Sequence, residues 1–128
     1  MTECKRILVI EDDTVLRELL GDWLLAAGYR VALAPEGRAG IEEARASRPA
    51  LVLTDIHMPG TGGAAVISEV TRLYPDVPVI AISAHFRSGH GLTPEHAMEL
   101  GAARAIAKPF KRNDIVGAVM ELAGPPNA

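Results

Sequence analysis

The chain has 128 residues, 48% of them hydrophobic, with thirteen basic and sixteen acidic side chains and a net charge of −3. That is enough apolar material for one domain with a single core, and it excludes a disordered chain. The mild charge gives no electrostatic drive toward nucleic acid or an anionic membrane.

Cys4 is the one cysteine, so an intrachain disulfide is excluded. No charge-free run reaches the roughly 18 residues of a membrane span. The first residues hold no basic region followed by an apolar run before a small-residue cleavage site, so no signal peptide is read there. A soluble cytoplasmic domain is the expectation.

In chain order, Ile7-Leu8-Val9-Ile10 is a continuous apolar run, too short for a helix and rich in branched residues, and it predicts a strand covered on both faces. Over 14–27 the period changes: Leu16, Leu19, Leu20, Trp23, Leu24 and Ala27 recur at three and four, which predicts an amphipathic helix stopped at Gly28. A strand over 29–34 and a weaker helix over 36–47 come next, the helix carried by Ala39, Ile41 and Ala44. Residues 51–54 predict the third strand, and 64–74 a helix with Val66, Ile67, Val70 and Leu73 on one face. The fourth strand is placed at 77–82. Thr93-Pro94-Glu95 reads as a helix start, with a cap, a proline at the first helical position and an acid near the positive helix end. That helix stops near Gly101; a short strand over 103–106 and a helix over 113–122 complete the series, the helix with Ile115, Val116, Val119, Met120 and Leu122 as its apolar set. Residues 124–128 read as a frayed tail.

Strand and helix thus alternate five times, which implies an α/β fold: a five-stranded parallel sheet, doubly wound, with right-handed crossovers. In such sheets ligands bind beyond the carboxyl ends of the strands. The residues just after each strand are therefore informative. Glu11-Asp12-Asp13 stands after the first, Asp55 after the third, Ser83-Ala84-His85 after the fourth and Lys108-Pro109 after the fifth. Singly, each has an ordinary explanation: Asp13 or Thr14 caps a helix, Asp55 forms a turn, Ser83 is unremarkable, Lys108 is solvated. Together they put carboxylates, a hydroxyl and a lysine on one edge.

Crowded carboxylates raise one another's pKa unless a cation sits among them. Mg²⁺ suits an all-oxygen site of this kind. A carboxylate can also act as a covalent nucleophile and form an aspartyl phosphate, with lysine, metal and hydroxyl clamping the transferring group. On these grounds alone Asp55 is a turn former, a metal ligand or a nucleophile.

The stretches Ile7-Leu8-Val9-Ile10-Glu11-Asp12-Asp13, Leu53-Thr54-Asp55-Ile56-His57-Met58-Pro59-Gly60, Val79-Ile80-Ala81-Ile82-Ser83-Ala84 and Lys108-Pro109-Phe110 resemble, in order and spacing, the receiver domain of bacterial response regulators. Gly101-Ala102 fits as well, and the resemblance covers essentially the whole chain as a single receiver, 1–128, with no output domain. It implies a flavodoxin-like sheet in the order 2-1-3-4-5. It implies Asp55 as phosphoacceptor, Glu11 and Asp12 as the acidic pair holding Mg²⁺ (Mn²⁺ is an alternative) together with Asp55 and the backbone carbonyl of His57. Ser83 would contact the phosphoryl group and Lys108 would pair with it. A cis bond is implied between Lys108 and Pro109, an isomer that costs little at X-Pro. The implied donor is a histidine kinase or a histidine phosphotransfer protein, with no direct nucleic-acid or membrane partner.

Two departures stand out. Three residues before the lysine, where such receivers often carry an aromatic switch, this chain has Ala105. The stretch from His85 to Thr93 is long and carries Gly89 and Gly91, which predicts a mobile loop and a shortened fourth helix. The spacing of His85, His90 and His96 matches no common zinc pattern.

Competing readings are a degenerate receiver that binds proteins without taking phosphate, and a haloacid-dehalogenase-like phosphatase. In the second, Glu11 would stand in the nucleophile's place and the chain is short for the usual cap insertion. No G-x-G-x-x-G lies after a strand, which removes a dinucleotide site.

The resemblance also puts His57 and His85 beside the path of the water that attacks the aspartyl phosphate, where the plainer reading is that both shield it. Histidine ordinarily titrates between about pH 6 and 8, so the lifetime of phosphate on Asp55 is expected to change across that range. A lifetime flat across it, and unmoved by His57→Ala and His85→Ala, removes both side chains from the path.

Overall fold

The computed structural model describes residues 4–57, 60–83 and 94–127. Its elements are β1 (Arg6–Ile10), α1 (Thr14–Ala26), β2 (Arg30–Ala34), α2 (Gly37–Ala46), β3 (Leu51–Asp55), α3 (Gly63–Leu73), β4 (Val79–Ser83), α4 (Pro94–Leu100), β5 (Arg104–Ala107) and α5 (Arg112–Ala123). All strand pairings are parallel and the sheet order is β2-β1-β3-β4-β5. This is the doubly wound α/β sheet that the alternation of elements predicts.

The continuous apolar runs are explained by two cores, one on each side of the sheet. Successive side chains in a strand point to opposite faces. Ile7, Val9, Leu51, Leu53, Ile80 and Ile82 pack on one face with Leu20 and Leu24 of α1 and Ile115, Ala118 and Val119 of α5. Leu8, Ile10, Val52, Val79 and Ala81 pack on the other with Ala44 of α2, Val66, Ile67 and Val70 of α3, and Ala97 of α4. With all five positions of β3 and β4 buried, a polar residue there would be costly unless paired. Each buried Leu, Ile or Val contributes on the order of 1.5–3 kcal/mol.

Three sequence expectations are corrected. In α1 the buried stripe runs through Leu20, Gly21 and Leu24, while Leu19 is largely exposed; Leu33 of β2 fills the space over Gly21. In α5 Ala118 is buried and Met120 faces out. The tail is held rather than frayed across 124–127: the Lys5 N–H donates to Pro126 O at 2.8 Å, the Tyr29 hydroxyl donates to Gly124 O at 2.7 Å, and the Lys5 ammonium donates to Ala123 O at 2.5 Å. These partners lie far from 124–127 in sequence, so no local pattern announces them. The described α4 has seven residues; the loop and helix start placed at His85–Thr93 fall outside the described residues.

Two glycines fix the chain leaving β3. A β-carbon on Gly63, the first residue of α3, would lie 2.5 Å from Ile56 Cα and 2.7 Å from Asp55 O. One on Gly37, the first residue of α2, would lie 2.2 Å from Thr61 O. Both neighbours are backbone, which cannot step aside as a side chain can. Gly63→Ala is therefore expected to lower stability by about 1–3 kcal/mol by pushing on the backbone of Asp55. Urea unfolding measures this, and an unchanged midpoint would show that the loop has room.

Candidate functional site

Asp55 is the last residue of β3 and Ser83 the last of β4; Glu11 comes directly after β1 and Lys108 directly after β5. Because the strands are parallel and in register, these ends lie along one edge of the sheet, and the side chains that read as ordinary one by one are neighbours in space. Glu11 and Ser83 are fully buried and Asp55 nearly so. Asp12 is exposed.

One ligand oxygen from each of Glu11, Asp12 and Asp55 lies within 4.8 Å of the others. Lys108 Nζ is 3.2 Å from Asp55 Oδ2 and 3.5 Å from Glu11 Oε1. Asp55 Oδ1 accepts the His57 N–H at 3.1 Å. That bond orients the carboxylate and ties it to the start of the following loop. The Lys108 N–H donates to Ser83 O at 3.1 Å, so the backbones of these two residues are joined where β4 and β5 end. The Lys108–Pro109 peptide bond is cis.

The cap of α1 is Asp13, whose carboxylate accepts the Leu16 N–H at 3.0 Å. This separates it from Glu11 and Asp12: it serves the helix while they turn to the site. Sequence reading missed Arg17, which stands in α1 outside its apolar set. The guanidinium reaches back one turn and donates to Glu11 O at 2.9 Å, holding the backbone of the acidic turn. Its only sequence signal was an arginine in the second turn after an acidic cluster, which is weak.

Electrostatics follow from burial. Burial itself, then the adjacent Asp55 carboxylate, raise the Glu11 pKa to about 8 from an ordinary 4.5; Lys108 opposes this only in part. Burial lowers the Lys108 ammonium, but Asp55 and Glu11 outweigh it and its pKa is raised. Glu11 Oε2 is buried and has no hydrogen-bond partner. A buried acceptor left unsatisfied is costly, and a cation supplies what it lacks. An all-oxygen donor set around such an atom fits a hard divalent ion such as Mg²⁺.

Ala105 is half-buried in β5, opposite Ala81 of β4. Among the described aromatics, Trp23 and Phe110 form an edge-to-face pair at 6.2 Å on the α1 side of the sheet, and none occupies position 105. His85 and Met58-Pro59 fall outside the described residues.

The Glu11 shift has a defined consequence without metal. The folded carboxyl holds its proton between 4.5 and about 8, whereas the unfolded one has lost it. The stabilisation is complete below the unfolded pKa and is lost as pH rises through the folded one. In a chelator the Tm is expected to fall as pH rises from about 5 to about 8.5, with the slope reduced in Glu11→Gln. Mg²⁺ displaces the proton and should restore stability at the alkaline end. A wild-type slope equal to that of Glu11→Gln would assign the titration elsewhere.

The family model for the response regulator receiver domain matches residues 7–120. The chain is 34% identical over 116 residues to the chemotaxis protein CheY of Thermotoga maritima, covering 90% of this chain and 94% of that protein. It is 33% identical over 114 residues to the transcriptional regulatory protein BaeR of Escherichia coli, covering 89% of this chain but 46% of BaeR. The chain thus spans nearly all of the first relative and about half of the second. Among solved structures, the receiver domain of NtrX from Brucella abortus superposes with a TM-score of 0.83 at 28% identity, over 91% of this chain and 97% of that one.

Proposed function

The chain belongs to the response regulator receiver domain family of two-component signalling, and on that premise we propose that Asp55 is its phosphoacceptor. Receivers are signalling modules rather than classical enzymes. The observation that carries the proposal is one buried carboxylate, Asp55, with an ammonium at 3.2 Å and two further acids close by.

In this reading a carboxylate oxygen of Asp55 attacks phosphorus on a phosphohistidine. The P–O bond forms as the P–N bond breaks, and the electron pair leaves on the donor imidazole. The Lys108 ammonium, now beside Asp55 and Glu11, pairs with the incoming phosphoryl oxygens and offsets their charge. The Ser83 hydroxyl, at the end of the neighbouring strand, contacts the same group. Glu11, Asp12, Asp55 and the His57 carbonyl would hold Mg²⁺, which when bound supplies positive charge against the developing phosphoryl charge. The His57 N–H and the Arg17 grip on Glu11 O keep the acids oriented.

The donor is a histidine kinase or histidine phosphotransfer protein, and the output is a change in protein contacts. BaeR is named a transcriptional regulatory protein, but this chain matches less than half of it and we assign these residues no nucleic-acid contact. Among the described residues no helix is long and apolar enough to cross a membrane; we place the protein in the cytoplasm.

The alternative, a protein-binding module that never takes phosphate, draws on Ala105 alone. The acids, Ser83 and Lys108 together weigh against it. Acetyl phosphate with Mg²⁺ is expected to add about 80 Da to the intact protein, with no adduct in Asp55→Asn and a slower gain in Lys108→Ala. Wild-type protein that stays unmodified while a parallel receiver is phosphorylated would favour the alternative. Phosphotransfer from a panel of histidine kinases, with Asp55→Asn as control, would identify the donor.

A further inference from the structure

The sheet ends at β2, whose outer edge pairs with no other strand among the described residues. The Arg30 N–H donates to Lys5 O and Ala34 O accepts from the Glu11 N–H. The period of two along a strand therefore turns the backbone groups of Arg30, Ala32 and Ala34 toward β1 and those of Val31 and Leu33 outward. The same two residues send their side chains toward α1. There, with Glu18, Gly21, Asp22 and Leu25, they line a groove of about 310 Å³. Leu33 is 45% and Leu25 56% exposed. Gly21 makes the groove possible: a β-carbon there would come within 3.2 Å of Leu33 Cδ2.

Exposed edge strands are normally guarded by lysine, proline or a bulge. β2 reads Arg-Val-Ala-Leu-Ala, with its only charge at the first position. Across the groove Glu18 and Asp22 stand one helical turn apart. Both are exposed and neither has an ion pair among the described residues. Like charges at this spacing are mildly destabilising on a helix, so the pair is uncompensated among the described residues.

We propose that β2 and the α1 groove form a docking surface for an extended, cationic segment of a partner protein. The segment adds a strand to the sheet through the Val31 and Leu33 backbone. It sets an apolar side chain between Leu25 and Leu33 and places lysine or arginine against Glu18 and Asp22. Charge selects this occupant over a second copy of the chain. Two-fold pairing of β2 with its equivalent, about an axis normal to the sheet, puts both α1 helices on the same face, with their Glu18 and Asp22 rims opposed. The surface uses none of the residues assigned to phosphoryl transfer, so it stands or falls apart from that assignment.

The probe is an acetylated, amidated peptide repeating lysine-threonine-leucine-threonine, with a glutamate-for-lysine version as control, added to the full chain at up to millimolar concentration. The lysine peptide is expected to shift the Val31 and Leu33 amide signals and to slow their hydrogen exchange, equally in wild type and Asp55→Asn. Glu18→Lys combined with Asp22→Lys should weaken binding about tenfold, and the glutamine pair at the same positions should fall between. Signal shifts without slower exchange, an equal response to the glutamate peptide, or protection that appears with rising protein concentration and no peptide would each overturn the proposal.

Discussion

Everything at the carboxyl edge of this sheet turns on the concentration of negative charge in a place nearly closed to water. Glu11 and Asp55 are buried beside each other, and among the described residues one ammonium, Lys108, lies within hydrogen-bonding range of the pair. Two acids and one base do not balance. The fold meets the excess by keeping a proton on Glu11, whose pKa is raised to about 8, while Glu11 Oε2 stays without a partner at a cost. A site in that condition has affinity for whatever brings positive charge, and it resists a further anion until that charge arrives. Charge balance is thus the physical argument behind the proposal that a divalent cation precedes a phosphoryl group at this edge.

Holding such a cluster together takes a rigid frame, and the two-sided core supplies it. The strands that deliver Glu11, Asp55 and Ser83 are covered by helices on both faces, so they cannot rotate or slide without opening one core or the other. The loop after β3 is wedged by backbone-to-backbone contact at Gly63 and Gly37. At the other side of the site the bond from Lys108 N–H to Ser83 O makes the lysine and the serine parts of one backbone unit. Lys108 also follows β5 directly, so this unit joins the site to that strand.

Much of this was legible in the sequence. Five short apolar runs separated by helical periods define the sheet. Its candidate site was legible because the polar residues stand directly after the runs, where burial would otherwise forbid them. The contributions that depend on partners distant along the chain were not legible. Leu19 was misassigned because hydrophobicity cannot reveal that Leu33 would fill the space over Gly21. Arg17 looked like surface because its acceptor is a carbonyl, which has no letter in the sequence. The tail looked loose because proline and glycine are loop formers, yet Tyr29 and Lys5 both hold it. The raised pKa of Glu11 comes from burial, which a sequence states only through the fold.

The anchored tail has a topological side as well. Cys4 Sγ lies 3.1 Å from Asn127 Oδ1, so the two ends of the described chain meet at the pole of the sheet opposite Asp55. The five β-α units can thus be regarded as a ring that is cut at this one point. Closing it here and cutting it in an exposed connection elsewhere would reorder the strands in sequence and leave every strand-end carboxylate facing the same neighbours. The chemistry of the edge belongs to the closed circuit and is indifferent to where the polypeptide starts.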